Sequence, residues 1–213
     1  GPVMQVILLA DGALVSASRD STLRRWSADG EELVRFSGHS RAVTQVIQLP
    51  DGSLVSTSDD HSLRRWSADG EELARFSGHS GPVRHVIQLA NGSLVSASND
   101  GTLRHWDLQT SRCTAYWQTL PDGYYAVVDQ AGIHLHSDTP IHTTEWQGQR
   151  VPNDPNLARY AGFLVDGQCL AAWRFPQALR WPEPNAAGEY RSLTLLWPDG
   201  HDPTRTLGQI ITH

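Results

Sequence analysis

The sequence predicts an all-β fold in which four-stranded sheets repeat along the first half of the chain. Three observations predict it: a repeat of 40 residues, Asp-Gly pairs between short β-rich runs, and no helical periodicity in that half. Residues 11–50 align without a gap on residues 51–90, with 29 of 40 positions identical, and a third copy begins at Asn91. A period of about 40 residues is typical of the four-stranded blades of a β-propeller.

The second repeat predicts its four strands in order. The first is rich in β-branched residues and ends at Asp51-Gly52, and Asp69-Gly70 separates the third from the fourth. Asp-Gly between short β-rich runs is a strong hairpin signal. The predicted strands are Val43 to Leu49, one starting at Leu54-Val55-Ser56, Leu63 to Trp66, and Leu73 to Phe76.

Four polar and aromatic residue types recur at fixed positions of the repeat. They are His39, Ser56, Asp60 and Trp66, then His79, Ser96, Asp100 and Trp106, with Ser16, Asp20 and Trp26 in the first copy. With the Gly38-His39 and Gly78-His79 pairs, this pattern resembles the WD-repeat family of β-propellers over residues 1 to about 118. The resemblance implies a hydrogen-bonded chain from His to Trp inside each blade, since buried polar groups must satisfy one another.

The start of the chain aligns with the interior of a repeat, because Gly1 to Ile7 matches Gly81 to Ile87. We therefore expect an N-terminal truncation, with further blades upstream in the natural protein. Propellers typically close with 4–8 blades, so three blades leave two apolar end faces bare. The expected cover is another copy, the missing blades or the C-terminal segment, and we expect an oligomer in solution.

Residues 1–118 are thus interpreted as three WD-type blades of a partial propeller, and residues 119–213 as a small β-rich C-terminal domain. The second part is predicted to open with a hairpin, Tyr124 to Val128 and Ile133 to His136, resembling a degenerate blade. An aromatic-rich cap follows, because five of the eight tryptophans come after residue 111. The further predicted elements are a loop over 137–156, a short helix over Asn156 to Leu164 and a strand over Arg191 to Trp197.

The C-terminal part also resembles the tails of bacterial WD-repeat proteins. The residues concerned are Leu120-Pro121-Asp122-Gly123, Tyr125 to Val128, Gly132, Trp173-Arg174-Phe175 and Arg180-Trp181-Pro182. The resemblance implies a larger signalling or antiviral-defence protein, with a NACHT, TIR or caspase-like effector as partner.

Composition excludes several classes of function. The formal net charge of −6 argues against binding to nucleic acid, which needs a basic face. No apolar run approaches the ~20 residues of a membrane helix, and no signal peptide is evident. The two cysteines have no metal-like spacing, which favours a cytoplasmic protein without disulfides.

No residue pattern indicates an enzyme, a cofactor or a metal. His134 and His136 lie two apart on one predicted strand face, a ligand-like spacing, but no third ligand stands near them. Cys113 and Cys169 are interpreted as small apolar side chains. The alternative is a cysteine hydrolase within residues 119–213 that uses Cys169 and a histidine.

Differences between the two near-identical repeats indicate a binding surface. Seven of the 11 differences fall in the turn between the second and third strands or at the start of the first strand, two places that share one rim of a WD-type blade. A recognition surface requires such diversity on a constant scaffold. Two alternatives stay open: loops tolerate change, or the whole chain is a structural oligomerisation module. The predicted partner-binding residues are Arg41, Asp59, His61, Arg84, His85 and Asn99.

Overall fold

The computed structural model describes residues 1–119, 124–129, 132–139, 141, 143–146, 149–152, 162–165, 168–171 and 179–196. Every regular element in these ranges is a β-strand, which confirms the predicted all-β class. The chain divides into two compact units, Gly1–Thr114 and Ala115–His213. Within the ranges described, the chain has no helix able to cross a bilayer.

The first unit contains three antiparallel sheets, each of which we call a blade. In each blade the strands lie side by side in chain order, as expected for a meander joined by tight turns. Blade 1 comprises β1 (Val3–Leu8), β2 (Leu14–Ser18), β3 (Thr22–Trp26) and β4 (Glu32–Ser37). Blade 2 comprises β5 (Val43–Gln48), β6 (Leu54–Ser58), β7 (Ser62–Trp66) and β8 (Glu72–Ser77). Blade 3 comprises β9 (Val83–Gln88), β10 (Leu94–Ser98) and β11 (Thr102–Trp106), and Cys113-Thr114 of β12 (Cys113–Thr119) lie beside β11.

A turn of Asp-Gly in blades 1 and 2, and of Asn91-Gly92 in blade 3, joins the first two strands of each blade. In blade 2, Asp51 Oδ1 accepts the N–H of Ser53 at 2.9 Å, and Gly52 takes a φ of 83°, a left-handed conformation that glycine adopts without strain. The turn between the second and third strands also needs a left-handed residue. Ser21 and His61 fill that position with φ values of 73° and 70°, whereas blade 3 has Gly101 there.

The core of the first unit lies between neighbouring blades. We call the side of a blade that meets the next blade its trailing face, and the opposite side its leading face. Between blades 1 and 2 the trailing-face residues are Leu9, Ala13, Val15, Ala17, Leu23 and Phe36, and the leading-face residues are Val43, Val46, Leu54 and Trp66. The equivalent residues pack between blades 2 and 3, so each blade is apolar on both faces.

The second unit is built from short antiparallel strands. Its strands are β12, β13 (Tyr124–Asp129), β14 (Gly132–Ser137), β15 (Thr143–Trp146), β16 (Gln149–Pro152), β17 (Gly162–Val165), β18 (Gln168–Ala171), β19 (Leu179–Arg180) and β20 (Ser192–Leu196). In this unit β13 pairs with β12 and β14, β14 with β20, and β20 with β19. β15–β16 and β17–β18 form two further hairpins. The predicted hairpin near Tyr124 and the strand near Arg191 are confirmed.

Two predictions for this unit were wrong. The predicted loop over 137–156 contains β15 and β16, where Thr143, Thr144 and Val151 are β-branched residues that favour strands. The end of the predicted helix lies in β17, where Phe163 pairs with Leu170. A short apolar run does not distinguish a strand from a helix by periodicity, which explains this error. The start of that helix, and the motif at 173–175, lie outside the described residues.

Candidate functional site

A chain of hydrogen bonds crosses the interior of blade 2. Trp66 Nε1–H donates to Ser56 Oγ at 2.8 Å, and Ser56 Oγ lies 2.8 Å from His39 Nε2. His39 Nδ1 lies 2.8 Å from a carboxylate oxygen of Asp60. An ionised carboxylate only accepts, so Nδ1–H donates to Asp60 and the Ser56 hydroxyl donates to Nε2. These four residues come from the β4–β5 connection, β6, the β6–β7 turn and β7, and the chain links all four segments.

Blade 3 repeats this arrangement. Trp106 Nε1–H donates to Ser96 Oγ at 2.8 Å, and His79 lies 2.8 Å from Ser96 and 2.7 Å from Asp100. Thr102 Oγ1 adds a contact to the imidazole at 3.3 Å. The two blades therefore place all eight residues of the sequence-predicted chain in two equivalent networks.

Burial and hydrogen bonding fix the charge states along these chains. Burial lowers the pKa of His79 below its ordinary 6.5, against the opposing effect of Asp100, so a neutral imidazole is favoured. Burial opposes ionisation of Asp60 and Asp100. Hydrogen bonds from His39 and Ser62 to Asp60, and from His79 and Thr102 to Asp100, outweigh it and hold the pKa of each carboxyl well below 3.8. Blade 3 thus pairs the Asp100 carboxylate with a neutral His79 imidazole, which suits a structural role.

The predicted rim residues come together where the second-to-third-strand turn meets the start of the first strand. The N–H of Asp59 donates to Ala42 O at 2.9 Å, and the N–H of Asn99 donates to Pro82 O at the same distance. We call the turns 19–21, 59–61 and 99–101, with the residues just before β5 and β9 and the first three of β9, the rim surface.

A side-chain bridge joins two blades on the rim surface. Arg84 Nη1–H donates to Asp59 Oδ1 of blade 2 at 2.6 Å, and Arg84 Nε–H donates to Asn99 Oδ1 of blade 3 at 3.2 Å. The structure therefore joins three of the six predicted residues. Arg41 and His85 are exposed and His61 is half-buried, and no hydrogen bond between described residues links their side chains to the bridge.

Glutamine side chains join the blades by contacts that the sequence did not reveal. Gln5 Oε1 accepts the N–H of Val46 at 2.6 Å, and Gln45 Oε1 accepts the N–H of Val86 at 2.6 Å. Sequence comparison assigned Gln45 and His85 to the diversified rim, whereas Gln45 holds blade 3 against blade 2. The sequence signal for these contacts was the presence of glutamine at the equivalent positions of two successive repeats, Gln5 and Gln45.

The arginines of the third strands pair with carboxylates. Arg24 Nη1 lies 3.0 Å from Glu32, and Arg64 pairs with Glu72. Arg25 and Arg65 instead reach Asp11 and Asp51 of the first turn. The recurring Arg-Arg pairs are therefore no basic stripe for nucleic acid.

A pocket of about 370 Å³ lies within the second unit, and His134, His136 and Thr194 are among its lining residues. His134 contacts Thr194 at 3.1 Å and Asp129 at 3.2 Å, and Tyr125 stacks on His136 with ring centroids 4.8 Å apart. Burial, and secondarily His134, lowers the pKa of His136. The alternate residues of the same strands, Ala126, Val128, Ile133 and Leu135, are buried on the other side of the sheet.

The described residues assemble no group of three metal-ligating side chains. His134 and His136 share a sheet face, as predicted, but His134 contacts Thr194 and Asp129, and His136 stacks on Tyr125. Cys113 is half-buried, with Sγ 4.0 Å from Arg104 Nη1. Cys169 lies in β18, and its side chain falls outside the described part of the chain.

Comparison with known families agrees with the blade geometry. Residues 30–67 and 70–107 each match the family model of the WD domain, G-beta repeat. The first match runs from β4 to β7, so one sequence repeat joins the last strand of a blade to the first three of the next. No curated protein matches the chain. These two segments are similar to WD40 repeats, which supports a WD-repeat family for this part of the chain.

Proposed function

We propose that the first unit is a protein-interaction module whose partner binds the rim surface. The observation that carries this proposal is the bridge from Arg84 to Asp59 and Asn99, since it joins two blades at the positions where the repeats differ. The buried chains through Trp66 and Trp106 stay constant beneath that variable surface. A constant scaffold under a varied rim is what a recognition surface requires.

The charge of the rim surface favours an acidic segment of the partner. Arg19, Arg41 and Arg84 lie in its turns and strand starts, and Asp59 pairs with Arg84. The other carboxylates of these turns have partners that lie off the rim surface: Asp20 bonds Arg24, Asp60 bonds His39 and Asp100 bonds His79. The chain as a whole carries a formal net charge of −6, so this concentration of arginine is local. Complementary charge raises the association rate and disfavours partners of like charge.

The module would then serve as a sensing scaffold of a cytoplasmic bacterial signalling or antiviral-defence protein. Binding at the rim surface would then control a NACHT, TIR or caspase-like effector. The support for this context is the resemblance of residues 120–182 to the tails of such proteins.

A peptide library tests the proposed use of the rim surface. Random dodecapeptides displayed on phage are selected on the unmodified chain, and the selected peptides are measured against Arg84→Glu and Arg41→Glu. We expect acidic peptides whose affinity falls at least tenfold with either variant. The matched control is Arg75→Glu, which reverses an exposed arginine of β8 away from the rim surface. Equal affinity for all variants would contradict the proposal.

A further inference from the structure

The two end blades of the first unit expose the same residue positions that the inner interfaces bury. On the leading face of blade 1, Val3, Val6 and Leu14 are 59%, 55% and 37% exposed. The equivalent residues of blade 2, Val43, Val46 and Leu54, are 0%, 0% and 1% exposed. The leading face of blade 1 is therefore shaped like a surface that elsewhere in this unit receives another blade.

The trailing face of blade 3 shows the complementary pattern. Ile87, Leu89 and Leu103 are 56%, 37% and 45% exposed. The blade 2 equivalents of Leu89 and Leu103, Leu49 and Leu63, are 3% and 0% exposed, because blade 3 covers them. The equivalent of Ile87, Ile47, is half-buried and packs against the same cluster. One chain thus carries both halves of an interface that it already forms twice internally.

The glutamine contacts define how the strands of neighbouring blades are aligned at this interface. Val6 occupies in β1 the position that Val46 and Val86 occupy in β5 and β9. The N–H of Leu9 donates to Ala13 O and so points toward β2. Backbone N–H groups alternate in direction along an antiparallel strand, so the N–H of Ile7 also points toward β2 and that of Val6, opposite Ser16, points away from β2 to the free edge of β1. Blade 3 has His85 at the glutamine position, and a neutral imidazole nitrogen also accepts a hydrogen bond.

We propose that a second copy of this chain docks head to tail on the first. The trailing face of blade 3 in one copy covers the leading face of blade 1 in the other, and His85 accepts the N–H of Val6. The occupant is a second copy because this chain exposes the matching face, and because the contact continues the interfaces between its own blades. Such an interface uses two different patches, so it closes a ring or extends a filament. His85 is the one residue of the rim surface that takes part in this contact. The variants that test the two proposals lie at other residues, so their failures are distinguishable.

The test uses sedimentation velocity and light scattering on the full chain, without a fused tag, from 1 to 200 μM. Val6→Arg blocks the leading face and Leu103→Arg blocks the trailing face. Both residues are exposed in the single chain, so each variant is expected to fold, which circular dichroism checks. We expect concentration-dependent assembly of the unmodified chain and monomers for each variant alone. An equimolar mixture of the two variants is expected to form dimers only, because one functional face of each kind remains.

Three outcomes would overturn the proposal. The unmodified chain staying monomeric at 200 μM excludes self-docking. Assembly that survives Leu103→Arg but not Val6→Arg indicates a symmetric contact through blade 1 alone. Two monomeric variants that do not combine show that the two faces are not partners. If Val6→Arg fails to fold, Leu14→Arg tests the same face, since Leu14 is also exposed.

Discussion

Arg84 of blade 3 and Asp59 of blade 2 form an ion pair at 2.6 Å across the boundary between the blades. Both side chains are partly exposed, at 39% and 32%, so water weakens their attraction. Exposed ion pairs contribute about 0.2–1 kcal/mol to stability. The pair therefore positions the rim surface more than it stabilises the fold.

The first prediction concerns that pair. Arg84→Ala is expected to lower the free energy of unfolding by no more than about 1 kcal/mol, because the lost contact is solvated. Leu63→Ala, in the buried interface beside it, is expected to cost about 2–5 kcal/mol. Urea unfolding followed by tryptophan fluorescence measures both. A loss above about 2 kcal/mol for Arg84→Ala would make the pair a structural element instead.

The second prediction concerns the buried hydrogen-bond chain. Ser56→Ala removes the only hydroxyl between the indole N–H of Trp66 and His39, and leaves both groups buried without that partner. An unsatisfied buried polar group costs about 1–3 kcal/mol, so a loss of at least this size is expected.

The matched control for this prediction is Ser16→Ala in blade 1. Ser16 bonds Trp26 at 2.9 Å but contacts no histidine, and Trp26 is only half-buried. Its substitution is expected to cost less than Ser56→Ala in the same unfolding experiment. Equal losses would show that His39 adds nothing to the chain.

The third prediction is a pH dependence of stability. Burial lowers the pKa of His79 in the folded state below the 6.5 of the unfolded chain. Below pH 6.5 the unfolded state therefore binds the proton more readily, and the free energy of unfolding falls as the pH drops from 6.5 toward the folded-state pKa. Above pH 6.5 this contribution is fully present.

Denaturant unfolding at pH 7.5, 6.0 and 5.0 measures this slope. His79→Gln is expected to reduce it, because the substituted side chain does not titrate in that range. The low pKa of Asp100 has its effect below pH 3.8, so it does not interfere. Stability that rises as the pH drops from 7 to 5 would contradict the neutral imidazole.

The fourth prediction concerns the glutamine between blades. Gln45→Leu leaves the N–H of Val86 without its acceptor, so we expect a loss of about 1–3 kcal/mol. The control is Gln88→Leu, because Gln88 bonds only Gly92 within its own blade, at 3.1 Å, and is half-buried. Thermal unfolding compares the two variants. A smaller loss for Gln45→Leu than for Gln88→Leu would show that the interblade bond is dispensable.

The fifth prediction uses the left-handed position in the β6–β7 turn. A non-glycine residue held in that conformation costs about 1–3 kcal/mol, so His61→Gly is expected to leave stability unchanged or raise it by about 1 kcal/mol. Gly101→Ala, at the same position of blade 3, is expected to destabilise. If the His61 imidazole contacts the partner, His61→Gly also weakens peptide binding. A marked loss of stability would show that His61 supports the fold.

The repeat made the first unit predictable, because the same residue pattern occurs three times and each copy predicts the same four-stranded blade. Trp66 and Ser56 recur at a fixed spacing, which places them on neighbouring strands, where the indole N–H donates to the serine hydroxyl. The sequence analysis missed the glutamine bonds between blades, because Gln45 and His85 differ and this difference was interpreted as variation on the surface.

The second unit was less predictable, since no repeat supports it. Short runs such as Gly162–Val165 carry too few residues to separate a period of 2 from one of 3.6. The polar stretch containing Thr143 and Val151 forms a hairpin, but its few β-branched residues were not sufficient to predict strands there. The face that joins His134 to Thr194 depends on β20, which lies about 60 residues further along the chain.

Amide hydrogen exchange at Val6, Val46 and Val86 tests the central claim, that the end blades of the first unit form the same interface as its inner blades. The inner amides, bonded by Gln5 and Gln45, are expected to be protected at every protein concentration. The amide of Val6 is expected to exchange quickly in dilute solution and to gain protection as the concentration rises. Rapid exchange of Val6 at all concentrations, beside protected Val46 and Val86, would contradict the account.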